Sequence, residues 1–139
     1  MIVLDSNVLS EFIANHPDNR VIGWLDRQAR QSVWTTTISV FEIRFGLQTM
    51  PAGKRRTKLM FLFERLLSDT IEGRVADFGV AAAERAAELA AIRQKRGRQG
   101  ELRDTMIAGI VLATRATLAT RNVKHFEDIA APVVNPWES

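Results

Sequence analysis

Apolar and polar positions change their period along this chain. Three consecutive aliphatics, Ile2-Val3-Leu4, are closed by Asp5, a short run of the kind found in a strand covered on both faces of a parallel sheet. Comparable runs stand at 32–36 (SVWTT), 74–78 (RVADF), 117–120 (TLAT) and 132–134 (PVV). Between them apolar residues recur at helical spacing over 7–14, 18–29 (behind Pro17 and Asp18), 38–49, 55–68, an alanine-rich 79–96, and 103–115. The stretches 51–53 (PAG) and 97–100 (GRQG) break these helices. Strands alternating with helices predict an α/β domain around a mostly parallel sheet. With 139 residues and no repeat, linker or low-complexity tract, a single domain over 1–139 is expected.

Composition narrows the function classes. Hydrophobic residues make up 46% and charged residues 25%, the balance of a soluble globular chain. There is no cysteine, which removes disulfides, thiolate metal sites and cysteine nucleophiles. The longest apolar run, MIAGIVLA at 106–113, falls far short of the roughly 20 residues a bilayer needs, and the start lacks the basic stretch of a signal peptide. A cytoplasmic protein without membrane contact is expected. The net charge is only +3, but KRRTK (54–58) and RQKRGR (93–98) concentrate much of the positive charge. Such clusters suit a polyanion or an acidic partner, and serve equally as solvated helix ends.

In open parallel sheets, sites form beyond the carboxyl ends of the strands, where strand order reverses. Asp5 stands at such an end, although Asp, Ser and Asn are also favoured helix N-caps and a helix begins here. In ISVFEIRFGLQT the helical angle places Ile38, Phe41 and Phe45 on one apolar arc and Val40, Ile43 and Leu47 on another. Glu42 is the only long side chain on the stripe it shares with Ser39, Gly46 and Thr49, which predicts a cleft; an exposed glutamate on a narrow face is the alternative. Asp104 heads the uncharged helix TMIAGIVLA, above Ala108 and Val111, again as a site residue or an N-cap. Thr120 and Asn122 offer short oxygen donors just past a strand. Carboxylates about 4 Å apart repel by roughly 4 kcal/mol at an effective dielectric near 20, so clustering them is rewarded only by a cation. Mg²⁺ takes such hard oxygen ligands, and a divalent ion so held can activate water and stabilise phosphoryl charge. His16 and His125 show no partner constellation in sequence and are expected to be surface or structural residues. No phosphate-binding loop, dinucleotide fingerprint or serine elbow is present. A strand ending in aspartate also suggests an aspartyl phosphotransferase, but the second acid of a D-x-D pair is replaced by Asn7.

Taken together, IVLDSNVLSEF, TTTISVFEIRFGL, LRDTMIAGIVLA and LATRNVKHFEDI resemble, in order and spacing, the four signature blocks of PIN-domain ribonucleases. They are closest to the VapC-type toxins of toxin–antitoxin pairs, and the ending VVNPWES resembles the FitB-like branch. The resemblance covers essentially the whole chain. It implies a three-layer α/β/α sandwich with four or five strands, and a Mg²⁺- or Mn²⁺-dependent endoribonuclease that cuts RNA through a metal-activated water. Asp5, Glu42 and Asp104 would then match the acidic metal-site residues, with Asn7 and Thr120 in support. The departure is Asn122, where many relatives carry aspartate; it keeps an oxygen ligand at the rim but no charge. Glu101 and Glu11 are expected to be ordinary surface acids, with a compensating carboxylate as the alternative for either. The resemblance further implies a homodimer and a cognate antitoxin of the VapB/FitA kind. The apolar surplus of 59–67 is compatible with that partner. The competing reading is a PIN-like module without catalysis that binds RNA or an antitoxin.

Overall fold

Val3 and Leu4 point to opposite sides of β1 (Ile2–Leu4), and both are fully buried, as a central strand with helices on either side requires. The computed structural model describes residues 1–139. Four more strands follow: β2 (Val33–Thr36), β3 (Val75–Ala76), β4 (Thr117–Ala119) and β5 (Val133–Val134). They form one sheet in the order β3-β2-β1-β4-β5, with every neighbouring pair parallel. The predicted mostly parallel sheet is therefore wholly parallel. From β1 the chain builds outward through β2 to β3, then returns to lay β4 against the other edge of β1. The switch point falls between β1 and β4, and Asp5 and Thr120 stand directly beyond those two strands.

Helices α1 (Ser6–Ile13), α2 (Asn19–Asp26), α3 (Thr37–Thr49) and α4 (Lys54–Arg65) cover one face. They bury Leu4, Val8, Leu9, Val21, Ile43 and Phe63 in a common core. Helices α5 (Val80–Lys95) and α6 (Leu102–Thr114) cover the other face, packing Leu89, Ile107, Ala108 and Val111 against Val3 and Leu118. This is the three-layer arrangement expected.

Three details differ from the sequence reading. The helix expected over 18–29 ends at Asp26, and a short 3-10 turn, Arg30–Ser32, leads into β2. The helix expected over 55–68 widens after Arg65 into a π-type turn, Leu66–Ile71. On α3 the arc of Val40, Ile43 and Leu47 packs into the core, whereas of the other arc only Ile38 does; Phe41 and Phe45 are 66% and 61% exposed and stack on each other at 6.1 Å. Apolar periodicity marks both arcs alike and does not say which one the fold covers.

The alanine richness of α5 has a packing reason. An added Cβ at Gly109 of α6 would lie 2.4 Å from the carbonyl oxygen of Ala82 and 2.8 Å from Ala86 Cβ. The two helices touch backbone to backbone, which only small residues allow.

Candidate active site

The backbone delivers Asp5 to the carboxyl edge of the sheet. Its N–H donates to the Ala119 carbonyl at 3.0 Å, which continues the β1–β4 pairing, and the chain then turns into α1. The Asp5 side chain caps that helix, accepting from the Ser6 N–H at 2.7 Å. The N-cap role and a position at the pocket are thus held by the same carboxylate. Asp5 is fully buried, and Oδ2 accepts from the Thr120 hydroxyl at 2.8 Å and from Asn7 Nδ2 at 3.5 Å. Asn7 also donates to Thr120 Oγ1 and accepts from the Arg121 N–H, tying α1 to the end of β4.

Glu42 arrives from α3 and is about a quarter exposed. The predicted cleft exists as a groove of about 320 Å³ between α1 and α3, lined by Ser6, Ser10, Ile13, Glu42, Ile43, Gly46 and Leu47. Of its small residues, Gly46 comes from the stripe that singles out Glu42 in sequence, while Ser6 and Ser10 come from α1. The cleft has one buried apolar wall rather than the two expected, since Phe41 and Phe45 face outward.

Asp104 is 2% exposed and lies in the first turn of α6, whose N-cap is Glu101. The N-cap alternative for Asp104 is therefore excluded, and its side chain turns into the pocket. Oδ2 accepts from His125 Nδ1 at 2.9 Å. His125 thus has a partner that sequence did not reveal, whereas His16 is exposed as expected.

Sequence reasoning also missed Arg103, the residue on which all three acids meet. Its Nη2 donates to Asp5 Oδ1 at 2.6 Å and to Ser6 Oγ at 3.2 Å. The same nitrogen ion-pairs with Glu42 Oε1, and Nη1 donates to Asp104 Oδ1. Burial works against its charge, but Asp5 and Glu42 outweigh that and hold the guanidinium above the ordinary arginine pKa. The available signal was a cation next to one of the two buried predicted acids.

In this arrangement no three His, Asp or Glu side chains are placed to hold a metal ion among themselves. The point on which they converge is filled by the guanidinium. The donor set is oxygen only and carries three negative charges, two of them on buried groups, and a cation already stands there. That chemistry fits Mg²⁺ or Mn²⁺. Asn122 contributes its N–H to Thr120 Oγ1 at 3.1 Å, but its side chain is exposed and joins none of the pocket's hydrogen bonds. Of the compensating acids, Glu11 is engaged by the Asp18 N–H at 2.6 Å, while Glu101 lines a polar pocket next to Asp104.

That second pocket, about 200 Å³, is lined by Arg93, Arg98, Gln99, Gly100, Glu101, Asp104, Lys124 and His125. Arg93 forms its floor and is 3% exposed. It reaches Asp128 through Nε and Nη2 at 2.8 Å, Thr105 Oγ1 at 3.2 Å and the His125 carbonyl at 3.1 Å. It pins the 123–128 segment, and with it His125, to α5 and α6. The hydrogen bonds from Arg93 hold the Asp128 carboxyl below its ordinary 3.8. A depressed carboxyl stabilises the fold above the unfolded pKa and loses that contribution as pH falls through the folded one. Asp128→Asn is therefore expected to cost about 2 kcal/mol at pH 7. It should also flatten the wild-type loss of thermal stability below about pH 4; parallel melts across that range check both.

The basic run at 54–58 lies elsewhere. At about 1.5 Å per residue, α3 carries the chain roughly 10 Å from Glu42 to Thr49 before that run begins. The 93–98 cluster splits into a buried strut, Arg93, and a pocket-facing cation, Arg98.

With this geometry in hand, the chain was compared with known proteins. It matches the PIN domain family over residues 2–132. It is 38% identical to VapC ribonuclease Y4jK of Sinorhizobium fredii and 31% identical to toxin FitB of Neisseria gonorrhoeae, over 99% of both chains in each case. Its fold superposes on the crystal structure of FitAcB from Neisseria gonorrhoeae with a TM-score of 0.91 at 30% identity, over all of both chains.

Proposed function

The chain belongs to the PIN-domain family, among the VapC- and FitB-type toxins, and on that premise we propose that it is a divalent-metal-dependent endoribonuclease. Asp5, Glu42 and Asp104 would hold the ion. One observation carries the assignment: three acids from β1, α3 and α6, two of them buried, converge on a single positive charge. Nothing but a cation offsets that clustering.

A bound Mg²⁺ or Mn²⁺ supplies the charge that acidifies an attacking water and offsets the negative charge growing on the phosphodiester. The chain's own residues do the positioning. Thr120 and Asn7 fix Asp5, with its Oδ1 turned inward, and His125 does the same for Asp104. Beside Asp104, Arg98, Lys124 and His125 present donors to the phosphates of an incoming strand. The combined change Arg98→Gln and Lys124→Gln should raise KM for RNA several-fold. It should also flatten the dependence of log binding on log salt by about 1.4, two single-strand phosphate contacts at roughly 0.7 each. An unchanged salt slope would remove this pocket from the RNA path.

The reading includes an antitoxin of the VapB/FitA kind, supported by the likeness to FitAcB, a second copy of the chain as dimer partner, and action on cytoplasmic RNA. Exposed Phe41, Phe45, Phe61 and Leu102 leave apolar surface for protein partners. No helix is long and apolar enough to cross a membrane. The inactive-module reading rested on Asn122, and the three acids converge without help from that side chain. Incubating the purified chain, free of antitoxin, with RNA in Mg²⁺ or Mn²⁺ tests the proposal. Discrete fragments that EDTA abolishes are expected, and inert protein that binds no metal would return the module reading.

A further inference from the structure

Arg103 is the one residue of the pocket that the proposed chemistry leaves without a task, and it sits where the cation should. The outer oxygens of the two buried acids are already taken, Asp5 Oδ2 by Thr120 and Asn7, and Asp104 Oδ2 by His125. Their inner oxygens, and Glu42 Oε1, all face the guanidinium. A metal ion reaching those oxygens meets Arg103 first.

From this geometry we infer that Arg103 is a built-in counter-ion of the acidic pocket, which a divalent cation must displace, so that this residue sets the metal affinity of the site. The inference rests on the reading of Asp5, Glu42 and Asp104 as a metal centre.

A comparison within the same protein separates a displaceable charge from a permanent strut. Arg93 is 3% exposed and has Nε, Nη1 and Nη2 all hydrogen-bonded, so moving it strands donors and opens the fold. Arg103 is 21% exposed on its side chain, its buried Nε has no acceptor, and Glu42 Oε1 meets it as an ion pair without the alignment of a hydrogen bond. Its charge is satisfied but its hydrogen-bonding geometry is not. It also has a route outward, because it precedes Asp104 in the first turn of α6 beside the open polar pocket. Charge counting agrees: three carboxylates carry −3, so one divalent ion together with a guanidinium turned to the rim leaves the site neutral.

The test is a calorimetric titration of MnCl₂ into purified full-length protein, free of antitoxin, for wild type, Arg103→Gln and Arg103→Lys. Arg103→Gln is expected to bind Mn²⁺ about tenfold more tightly than wild type, because the competing charge is gone, with Arg103→Lys in between. In EDTA the order reverses, and Arg103→Gln melts lowest because its acids face one another unscreened. Equal or weaker Mn²⁺ binding by Arg103→Gln overturns the inference and leaves the metal-centre reading intact. No Mn²⁺ binding by any of the three proteins overturns both. Wild-type protein alone gives a second decision that needs no variant to fold. The side-chain N–H resonances of Arg103 should be slowly exchanging in EDTA and lose that protection at saturating Mg²⁺; protected signals that persist overturn the inference.

Discussion

Asp104→Asn should lower the rate of RNA cleavage roughly a thousandfold or more while the protein stays folded. The change keeps the shape and removes one formal charge and one anionic donor from the pocket. Asp104 is the better choice over Asp5 for structural reasons. Asp5 caps α1 and anchors Thr120 and Asn7, so Asp5→Asn disturbs the junction of β1, α1 and β4 along with any metal. Asp104 lies within the first turn of α6, where a negative charge contributes about 0.3–1 kcal/mol through the helix dipole. Arg103 keeps Asp5 and Glu42 as partners when Asp104 is neutral. A melt within a few degrees of wild type together with near-complete loss of cleavage is the expected pair of results. Full activity in the variant would remove Asp104 from the site.

The largest effect on stability is expected at Gly109, which lies about 7.5 Å along α6 from Asp104 and takes no part in the proposed chemistry. Even a methyl group there would sit 2.4 Å from the Ala82 carbonyl oxygen, and backbone cannot rotate aside as a flexible side chain does. Gly109→Val should therefore force α5 and α6 apart and cost about 4 kcal/mol, the upper range for overpacking. For a domain of this size that is a fall in melting temperature of roughly 10–15 °C. Gly46 is the internal control. It lies in α3 with nothing within 4 Å of an added Cβ, so Gly46→Ala should be neutral or stabilising by up to about 1 kcal/mol. Equal melts for the two variants would show that helix propensity, rather than the α5–α6 contact, governs both.

The fold was readable from sequence because its signals are local and repeated. Ile2-Val3-Leu4 followed by Asp5 marks a central strand, and the helical spacing between short apolar runs marks the crossovers. Wherever two environments give the same local pattern, the reading fell short. The two arcs of α3 look alike, yet Ile43 is core and Phe41 is two-thirds exposed, because coverage depends on which neighbours arrive from elsewhere in the chain. Asp104 is open to being a cap in sequence because the uncharged run TMIAGIVLA begins directly after it, whereas α6 starts at Leu102 with Glu101 as its N-cap.

For the site, the acids were legible because charge next to apolar surroundings is costly and therefore informative. Asp5 follows a buried strand, Asp104 heads a buried helix, and Glu42 stands alone on a stripe of small residues. Arg103 and His125 were not legible. No local pattern of apolar and polar positions marks either of them, and each reaches its partner through a long or rotatable side chain across the sheet's carboxyl edge. Asp5 and Arg103 are 98 positions apart in the chain, a pairing no periodicity encodes. Asn122 was weighed as a ligand from its place after β4, but the backbone there turns its side chain to solvent.

The most direct test of the acidic pocket as a metal centre is anomalous diffraction at the manganese edge from crystals of the antitoxin-free protein soaked in MnCl₂. A peak roughly 2.1 Å from inner oxygens of Asp5 and Asp104, within reach of Glu42 and with the Arg103 guanidinium moved off them, is the predicted result. A guanidinium still bridging the three acids, with no peak between them in crystals saturated with Mn²⁺, would contradict it.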